Sequence, residues 1–194
     1  MKKQIVVTAI LAAIVLMLGM HAVADEVKGF TLKDQDGKEV ALKDFEGKVV
    51  VLEWTSWNCP FPRRHYEANN MQNLAKKWAE KGVVWLAINS NHNESPEQDK
   101  PHIEKYSLPY PVLNDRGGEV GKLYGVTNTP HMFVLGKDHK IVYQGAIDDD
   151  VRGGKLADGE ALNYVDQALT ELLAGKPVSV PETKAYGCGV RLAP

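Results

Sequence analysis

The fold is decided by one stretch of the chain, Trp54-Thr55-Ser56-Trp57-Asn58-Cys59-Pro60-Phe61-Pro62-Arg63-Arg64-His65. The β-branched run of residues 49–52 comes before it and predicts a buried strand. Apolar residues then recur on one face of a helical pattern that runs to about Glu80, with Gly82 as its stop. We therefore expect Cys59 at the point where a strand ends and a helix begins.

Cys59 has the sequence surroundings of a reactive thiol. At a helix N-terminus, unpaired N–H groups and the positive end of the macrodipole favour an anion, so a thiolate there is stabilised relative to the thiol. Pro60 beside it, the two tryptophans and the pair Arg63 and Arg64 favour this interpretation. The alternative is a buried cysteine that acts as a small hydrophobic residue, as most isolated cysteines do.

Length and composition describe one globular domain with an ordinary core. The chain has 194 residues, of which 44% are hydrophobic, and this is enough to build a core without cross-links. Its net charge is −2, with 23 basic and 25 acidic residues. This balance argues against nucleic-acid binding.

Residues 1–24 have the pattern of a secretory signal peptide. Two lysines are followed by an apolar run over residues 5–20 and by the small-x-small motif Ala22-Val23-Ala24 before Asp25. That run is shorter than the roughly 20 residues that a membrane span needs, which argues against an anchor. We expect an exported protein, periplasmic or secreted, with no membrane attachment after cleavage and with its two cysteines in a compartment where disulfides persist.

The remaining patterns predict alternating strands and helices. An Asp-Gly turn indicates a hairpin over residues 30–42. Strands are predicted at residues 49–54, 83–88, 110–113, 131–135 and 141–143, and helices at 60–80, 119–124, 162–173 and, briefly, after Ser95. The chain leaves the last helix for a tail, residues 177–194, that carries Cys188.

The order of these elements, together with five short motifs, resembles the thioredoxin-like superfamily and, within it, the redoxins of the alkyl hydroperoxide reductase/thiol-specific antioxidant group. The motifs lie at residues 30–38, 47–52, 54–60, 124–126 and 129–130, and the loop 145–149 and the Gly187-Cys188 tail are similar to a peroxiredoxin-like branch. The resemblance spans about residues 27–176 of a domain predicted at 25–176. It implies an α/β, three-layer fold with a central mixed β-sheet flanked by helices and an N-terminal β-hairpin extension.

The resemblance assigns roles to residues around Cys59. In these folds a threonine–proline pair before the penultimate strand has a cis peptide bond and packs on the reactive cysteine, which implies Thr129 and Pro130 beside Cys59. An ordinary trans proline at a strand start is the alternative. His131 would then be near the site. Glu53 lies close to where thioredoxins bury a proton-relaying acid, and its alternative is an outward-pointing side chain.

The chain departs from the thioredoxin pattern because it has no C-x-x-C pair. Ser56 and Pro62 stand where a partner cysteine would be, so the protein cannot cycle through adjacent thiols. Ser56 does fit the hydroxyl residue that peroxiredoxins carry three residues before their cysteine, although Leu52 replaces their usual proline. Arg63 and Arg64 are candidates for the activating arginine, and a solvated basic pair is the alternative. The predicted active-site support comprises Glu53, Trp54, Ser56, Pro60, Arg63, Thr129 and Pro130.

These features predict an exported thiol-dependent oxidoreductase of peroxiredoxin-like type. Cys59 would attack a peroxide or a protein disulfide, and Cys188 would resolve the product. An external dithiol protein would supply the electrons. No organic cofactor and no metal are implied.

Two alternatives come from other classes of protein. In the first, a redox-inert binding module has Cys59–Cys188 as a permanent structural disulfide. In the second, a copper-handling protein uses Cys59 and His131, because thiolate and imidazole suit copper. The acidic run of residues 148–150 could ligate a hard cation, but three loop acids without further spaced ligands are usually solvated.

Overall fold

A computed structural model of the protein describes residues 29–155 and 159–194. The predicted signal peptide, residues 1–24, and the predicted start of the domain at residue 25 lie outside the described residues. Within the described part of the chain, no helix combines the length and the apolar composition that crossing a membrane requires.

The described residues form nine strands and five α-helices. The strands are β1 Thr31–Lys33, β2 Glu39–Ala41, β3 Val50–Trp54, β4 Val84–Asn89, β5 Val112–Asn114, β6 Asn128–Thr129, β7 His131–Leu135, β8 Ile141–Gly145 and β9 Cys188–Gly189. The helices are α1 Pro60–Glu67, α2 Asn70–Ala79, α3 Asp99–Tyr106, α4 Glu119–Tyr124 and α5 Tyr164–Leu173, with 3₁₀ turns at Leu42–Phe45 and Pro96–Gln98.

Seven of these strands form one mixed sheet in the order β2-β1-β5-β4-β3-β7-β8. Strands β3, β4 and β5 are parallel, whereas β7 pairs antiparallel with β3 and β8. The predicted hairpin, β1 and β2, extends the sheet beyond β5. Strand β3 lies inside the sheet, between β4 and β7, and all of its positions are buried, as the apolar run at its start predicts.

Helices cover both faces of the sheet and complete three layers. Alternation along β3 sends Val51 to one face and Leu52 and Trp54 to the other. The first face packs against α1, α2, α3 and α5, and the second packs against α4 and the 3₁₀ turn after β2. The predicted thioredoxin-like α/β class is therefore confirmed.

The single helix predicted over residues 60–80 is wrong, because two helices occupy this range. Helix α1 ends at Glu67 and α2 begins at Asn70. Between them Asn69 has φ of +56°, a left-handed conformation that asparagine adopts more readily than most residues. The apolar pattern continues across the break, since Tyr66 and Met71 enter the same core.

The tail, residues 177–194, packs against the domain. Gln144 N–H donates to Pro181 O and Thr183 N–H donates to Gln144 O, both at 3.0 Å, so the tail follows the outer edge of β8. Further along, β9 pairs antiparallel with β6. The tail thus passes from the sheet edge to the turn that precedes β7.

Candidate active site

Cys59 lies at the junction of β3 and α1 that the sequence predicts. It is the N-cap residue of α1, with Pro60 at the first helical position, and only 1% of it is exposed. Its Sγ–H donates to the backbone oxygen of Thr129 at 3.3 Å. The Thr129–Pro130 peptide bond is cis. Cys59 and the threonine–proline turn are therefore in contact, as the resemblance implies.

Cys188 is brought to the same turn by the tail. In the pairing of β9 with β6 it lies opposite Thr129, whose backbone oxygen accepts the hydrogen bond from Cys59. Both are free thiols and line one cleft. The pKa of Cys188 is raised to about 11, first by burial and then by the neighbouring Cys59, through a hydrogen bond and the negative charge of its thiolate. Two cysteines far apart in the sequence are thus neighbours.

Gly187 allows the tail to approach the threonine–proline turn. Its φ is +111°, and a Cβ added to it would lie 2.0 Å from the backbone oxygen of Thr129. Its own carbonyl accepts a hydrogen bond from Asn128 Nδ2 at 2.9 Å. A side chain at Gly187 would therefore force the following residue, Cys188, away from the turn.

Ser56 lines the cleft, but its hydroxyl is engaged by Glu94, a residue that the sequence analysis did not single out. Glu94 is 4% exposed and belongs to the cleft wall. Its carboxylate accepts hydrogen bonds from Ser56 Oγ–H, from the N–H groups of Trp57 at 3.0 Å and Asn58 at 3.2 Å, and from Asn89 Nδ2 at 2.7 Å. Its only sequence signal is an acidic residue in a polar stretch, which is typical of a surface loop.

Glu53 is fully buried and does not point outward. Burial raises the pKa of its carboxyl group, and hydrogen bonds partly oppose this rise. The donors are Tyr66 O–H, Trp85 Nε1–H at 2.9 Å and Tyr110 O–H at 3.0 Å. Tyr66 also shares a 2.6 Å hydrogen bond with the Thr55 hydroxyl. Glu53 thus belongs to a polar network that reaches the segment before Cys59.

Trp54 and Arg63 are not brought to the thiol pair. Trp54 is a core residue on the face of the sheet that α4 covers. Arg63 is half exposed and lies 3.9 Å from Glu67, which is the solvated state that the alternative interpretation predicts. The arginine that lines the cysteine cleft is Arg191 of the tail, and its charge partly opposes the rise in the pKa of Cys188.

A buried polar cluster anchors the tail two residues before Cys188. Tyr186 O–H donates to Asp148 Oδ1 at 2.5 Å and lies 3.1 Å from His65 Nε2. The Arg64 guanidinium stacks on the Tyr186 ring at 5.3 Å from its centroid. Burial, with a smaller contribution from the Arg64 charge, lowers the pKa of His65 to about 3, so this ring is neutral at physiological pH.

The expected solvation of the acidic run is wrong for two of its three residues. Asp148 and Asp150 are 1% and 3% exposed, whereas Asp149 pairs with Lys155 at 2.6 Å. The buried acids make contacts inside the protein, as the hydrogen bond that Tyr186 donates to Asp148 illustrates.

The copper alternative receives no structural support. His131 lies in a different cleft from Cys59, and its ring stacks on Phe133 at 4.6 Å between centroids. Across residues 29–155 and 159–194, histidine, cysteine and acidic side chains do not assemble in threes or more as metal ligands.

Comparison with known proteins identifies the family. The model of the AhpC/TSA family matches residues 23–144, which is well over half of the chain. The chain belongs to the AhpC/TSA family. The redoxin resemblance is therefore confirmed. The matched residues include Cys59 and the Thr129–Pro130 turn but end before the tail with Cys188.

Individual relatives agree with the family. The chain is 36% identical over 123 residues to the thiol-disulfide oxidoreductase ResA of Bacillus thuringiensis subsp. konkukian, a match that covers 63% of this chain and 68% of ResA. It is also similar to the crystal structure of an uncharacterized conserved protein from Geobacillus kaustophilus, with 30% identity, a TM-score of 0.79 and coverage of 91% of this chain and 95% of that one. A hypothetical protein from Sinorhizobium meliloti 1021 matches with 26% identity, a TM-score of 0.75 and coverage of 90% and 97%. The family and the similarity to ResA support thiol-based oxidoreductase chemistry.

Proposed function

We propose that this protein is an exported thiol–disulfide oxidoreductase in which Cys59 attacks a protein disulfide and Cys188 resolves the mixed disulfide. One observation carries the proposal: Cys188 lies opposite Thr129, whose backbone oxygen accepts the hydrogen bond from Cys59, and both thiols line one cleft at the cis-proline turn. The chain therefore has a second thiol where its sequence lacks a C-x-x-C partner. The similarity to ResA supports the same chemistry.

The reaction has three stages. The Cys59 thiolate bonds to one sulfur of the substrate disulfide, the substrate S–S bond breaks, and the other substrate sulfur leaves as a thiolate that takes up a proton. Cys188 then loses its proton, bonds to the Cys59 sulfur and expels the second substrate thiol. An external dithiol protein finally reduces the Cys59–Cys188 disulfide, so two electrons pass from that dithiol to the substrate.

The raised pKa of Cys188 favours this order of attack. With a pKa of about 11, Cys188 is a protonated thiol at neutral pH and a poor first nucleophile. Once Cys59 is in a mixed disulfide it carries no charge, and one cause of the raised pKa of Cys188 is removed. Cys188 then becomes easier to deprotonate when resolution requires it. Glu53 is the proton acceptor that the resemblance to thioredoxins implies, and it is connected to the segment before Cys59 through Tyr66 and Thr55.

Hydroperoxides are the second candidate substrate. Ser56 precedes Cys59 by three residues and lines the same cleft, and the chain belongs to the AhpC/TSA family. In this case Cys59 takes one oxygen from the peroxide and becomes a sulfenic acid, and Cys188 displaces water from it. The engagement of the Ser56 hydroxyl with Glu94 favours disulfide exchange, because that hydroxyl's proton is not directed at the cysteine.

The test is a thiol titration and non-reducing peptide mapping of the purified protein, before and after one equivalent of a disulfide probe such as oxidised glutathione or of hydrogen peroxide. We expect two free thiols in reduced protein and a Cys59–Cys188 cross-link after the disulfide probe. A cross-link that forms faster with peroxide would establish the peroxidase. A cross-link with a reduction potential below about −300 mV would establish the structural disulfide instead.

Export is proposed from the N-terminal sequence. The charged start, the apolar run and Ala22-Val23-Ala24 together favour cleavage before Asp25. Intact mass of protein recovered from the periplasm or medium of an expressing bacterium should correspond to a chain that begins at Asp25. Recovery of the uncleaved chain from the cytosol alone would contradict export without affecting the thiol chemistry.

A further inference from the structure

The end of β4 and the loop that follows it, residues 89–94, contact both segments that carry the cysteines, and we name this stretch the bridging loop. Its residues are all polar, yet Asn89 and Ser90 are fully buried, and Asn91 and Glu94 are 4% exposed. Buried polar groups require hydrogen-bond partners. Here those partners lie on both sides of the cysteine cleft, whose wall includes Asn91 and Glu94.

On one side the bridging loop restrains the residues that lead to Cys59. Glu94 accepts hydrogen bonds from the Ser56 hydroxyl and from the Trp57 and Asn58 N–H groups. With Asn89 as a fourth donor, these bonds use about as many acceptor sites as the two oxygens of a carboxylate offer. Glu94 is therefore suited to holding this turn in place rather than to exchanging protons.

On the other side the bridging loop binds the segment that follows Cys188. Asn91 Oδ1 accepts a hydrogen bond from Arg191 N–H at 3.0 Å, and His92 N–H donates to Arg191 O at 3.0 Å. Asn91 also donates from Nδ2 to Thr55 O at 3.3 Å. A single side chain, Asn91, therefore connects the segment before Cys59 to the segment after Cys188.

We propose that the bridging loop sets the position of Cys188 relative to Cys59 for the resolving step, with Glu94 and Asn91 as its positioning residues. This inference rests on the proposed function, since it requires that the two cysteines exchange. In that step Cys188 sulfur bonds to Cys59 sulfur, the bond from Cys59 to the substrate sulfur breaks, and the substrate leaves as a thiolate. Reactions between two held groups depend steeply on geometry, and a misplacement of about 1 Å can cost about a hundredfold in rate.

The experiment measures the Cys59–Cys188 equilibrium against mixtures of reduced and oxidised glutathione in wild-type protein, Glu94→Gln, Asn91→Ala and Glu97→Gln. Glu97 is a matched control, because it is an exposed glutamate three residues after Glu94. Asn91→Ala removes the hydrogen bonds to Thr55 and Arg191 without changing the charge of the protein. It also tests the inference if Glu94→Gln does not fold. Circular dichroism restricts the comparison to variants that are folded under the assay conditions.

We expect Glu94→Gln and Asn91→Ala to lower the effective concentration of the Cys188 thiol at Cys59, obtained from the glutathione equilibrium, by about tenfold or more. Glu97→Gln should stay within about twofold of wild type, as surface substitutions usually do. A loop that only stabilises the fold would leave this equilibrium unchanged in folded protein, and that result would overturn the inference while the proposed function stands. If wild-type protein forms no Cys59–Cys188 disulfide at any glutathione ratio, the proposed function itself is wrong and the inference is overturned with it.

Discussion

Cys188 lies opposite Thr129 in the antiparallel pairing of β9 with β6. The backbone oxygen of the same Thr129 accepts the hydrogen bond from Cys59 Sγ–H. One residue of the cis-proline turn thus fixes the positions of both thiols. A cysteine from the C-terminal tail can therefore take the part that the second cysteine of a C-x-x-C motif takes in dithiol proteins.

The first prediction separates attack from resolution. Cys188→Ser should react once with oxidised glutathione and then accumulate a Cys59–glutathione mixed disulfide, because the hydroxyl is a far weaker nucleophile than the thiol. Cys59→Ser should form no such adduct at an appreciable rate, since the remaining thiol, Cys188, has a pKa raised by burial. Mass mapping of quenched reactions measures both. Wild-type turnover by Cys188→Ser with the same reductant would remove the tail from the mechanism.

The second prediction concerns the packing of the tail against the threonine–proline turn. Gly187→Ala places a Cβ against Thr129 O at a φ where side chains are strained by about 1–2 kcal/mol, so the tail should shift outward. We expect iodoacetamide to alkylate Cys59 about tenfold faster than in wild-type protein, while disulfide closure slows. Gly189→Ala is the control, because the nearest atom to its added Cβ is 3.9 Å away. Equal alkylation rates in the two variants would show that the packing of the tail against the turn does not depend on Gly187.

Local patterns in the sequence are sufficient to predict the fold and the position of Cys59 in the site. A β-branched run, a proline after Cys59 and a helical period are signals within a few residues, and they place Cys59 at the end of β3 correctly. The break at Asn69 was missed because the apolar period continues through it and only the left-handed backbone interrupts the helix.

The partners of the cysteines could not be predicted in the same way. Most of the hydrogen bonds of Glu94 and Tyr186 join them to residues at least 36 positions away, and such contacts leave no periodicity in either segment. Asp148 resembles a solvated loop acid in sequence, and only the tertiary fold buries it against Tyr186. Buried polar contacts between distant segments are thus the part of this site that sequence patterns do not encode.

The third prediction tests the anchor of the tail. Asn70 Nδ2 donates to His65 Nδ1, so the network assigns the His65 proton to Nε2, which faces the Tyr186 oxygen. Tyr186→Phe should lower the free energy of unfolding by about 1–3 kcal/mol, because it leaves buried groups of His65 and Asp148 without this partner. Urea unfolding measures the loss. Lys184→Ala, at an exposed tail position, should have no comparable effect, and equal losses in both variants would contradict the role of the Tyr186 hydroxyl.

The fourth prediction is a pH dependence of stability. Burial lowers the pKa of His131 to about 4, below the value of about 6.5 expected in the unfolded chain. Between these values the unfolded state binds more protons than the folded state, so this residue destabilises the protein as pH falls from about 6.5 to 4. The free energy of unfolding of His131→Phe should therefore rise relative to that of wild-type protein on acidification, by roughly 3 kcal/mol at pH 4. Unfolding curves that keep a constant difference between the two proteins from pH 7 to pH 4.5 would contradict this.

The last prediction tests whether the two thiols interact electrostatically. Burial is the largest cause of the raised pKa of Cys188, and the hydrogen bond and charge of Cys59 are the next. In Cys59→Ala the burial remains but both contributions of Cys59 are lost, so the pKa of Cys188 should fall below about 11 while it stays above the usual value of a cysteine. The measurement is the pH dependence of iodoacetamide alkylation at Cys188, followed by peptide mass in the variant and in wild-type protein. We expect the midpoint of the variant at lower pH, which means faster alkylation of Cys188 near pH 9. Coincident profiles would show that Cys59 does not influence Cys188, and the order of attack proposed from the pKa of Cys188 would then lose its basis.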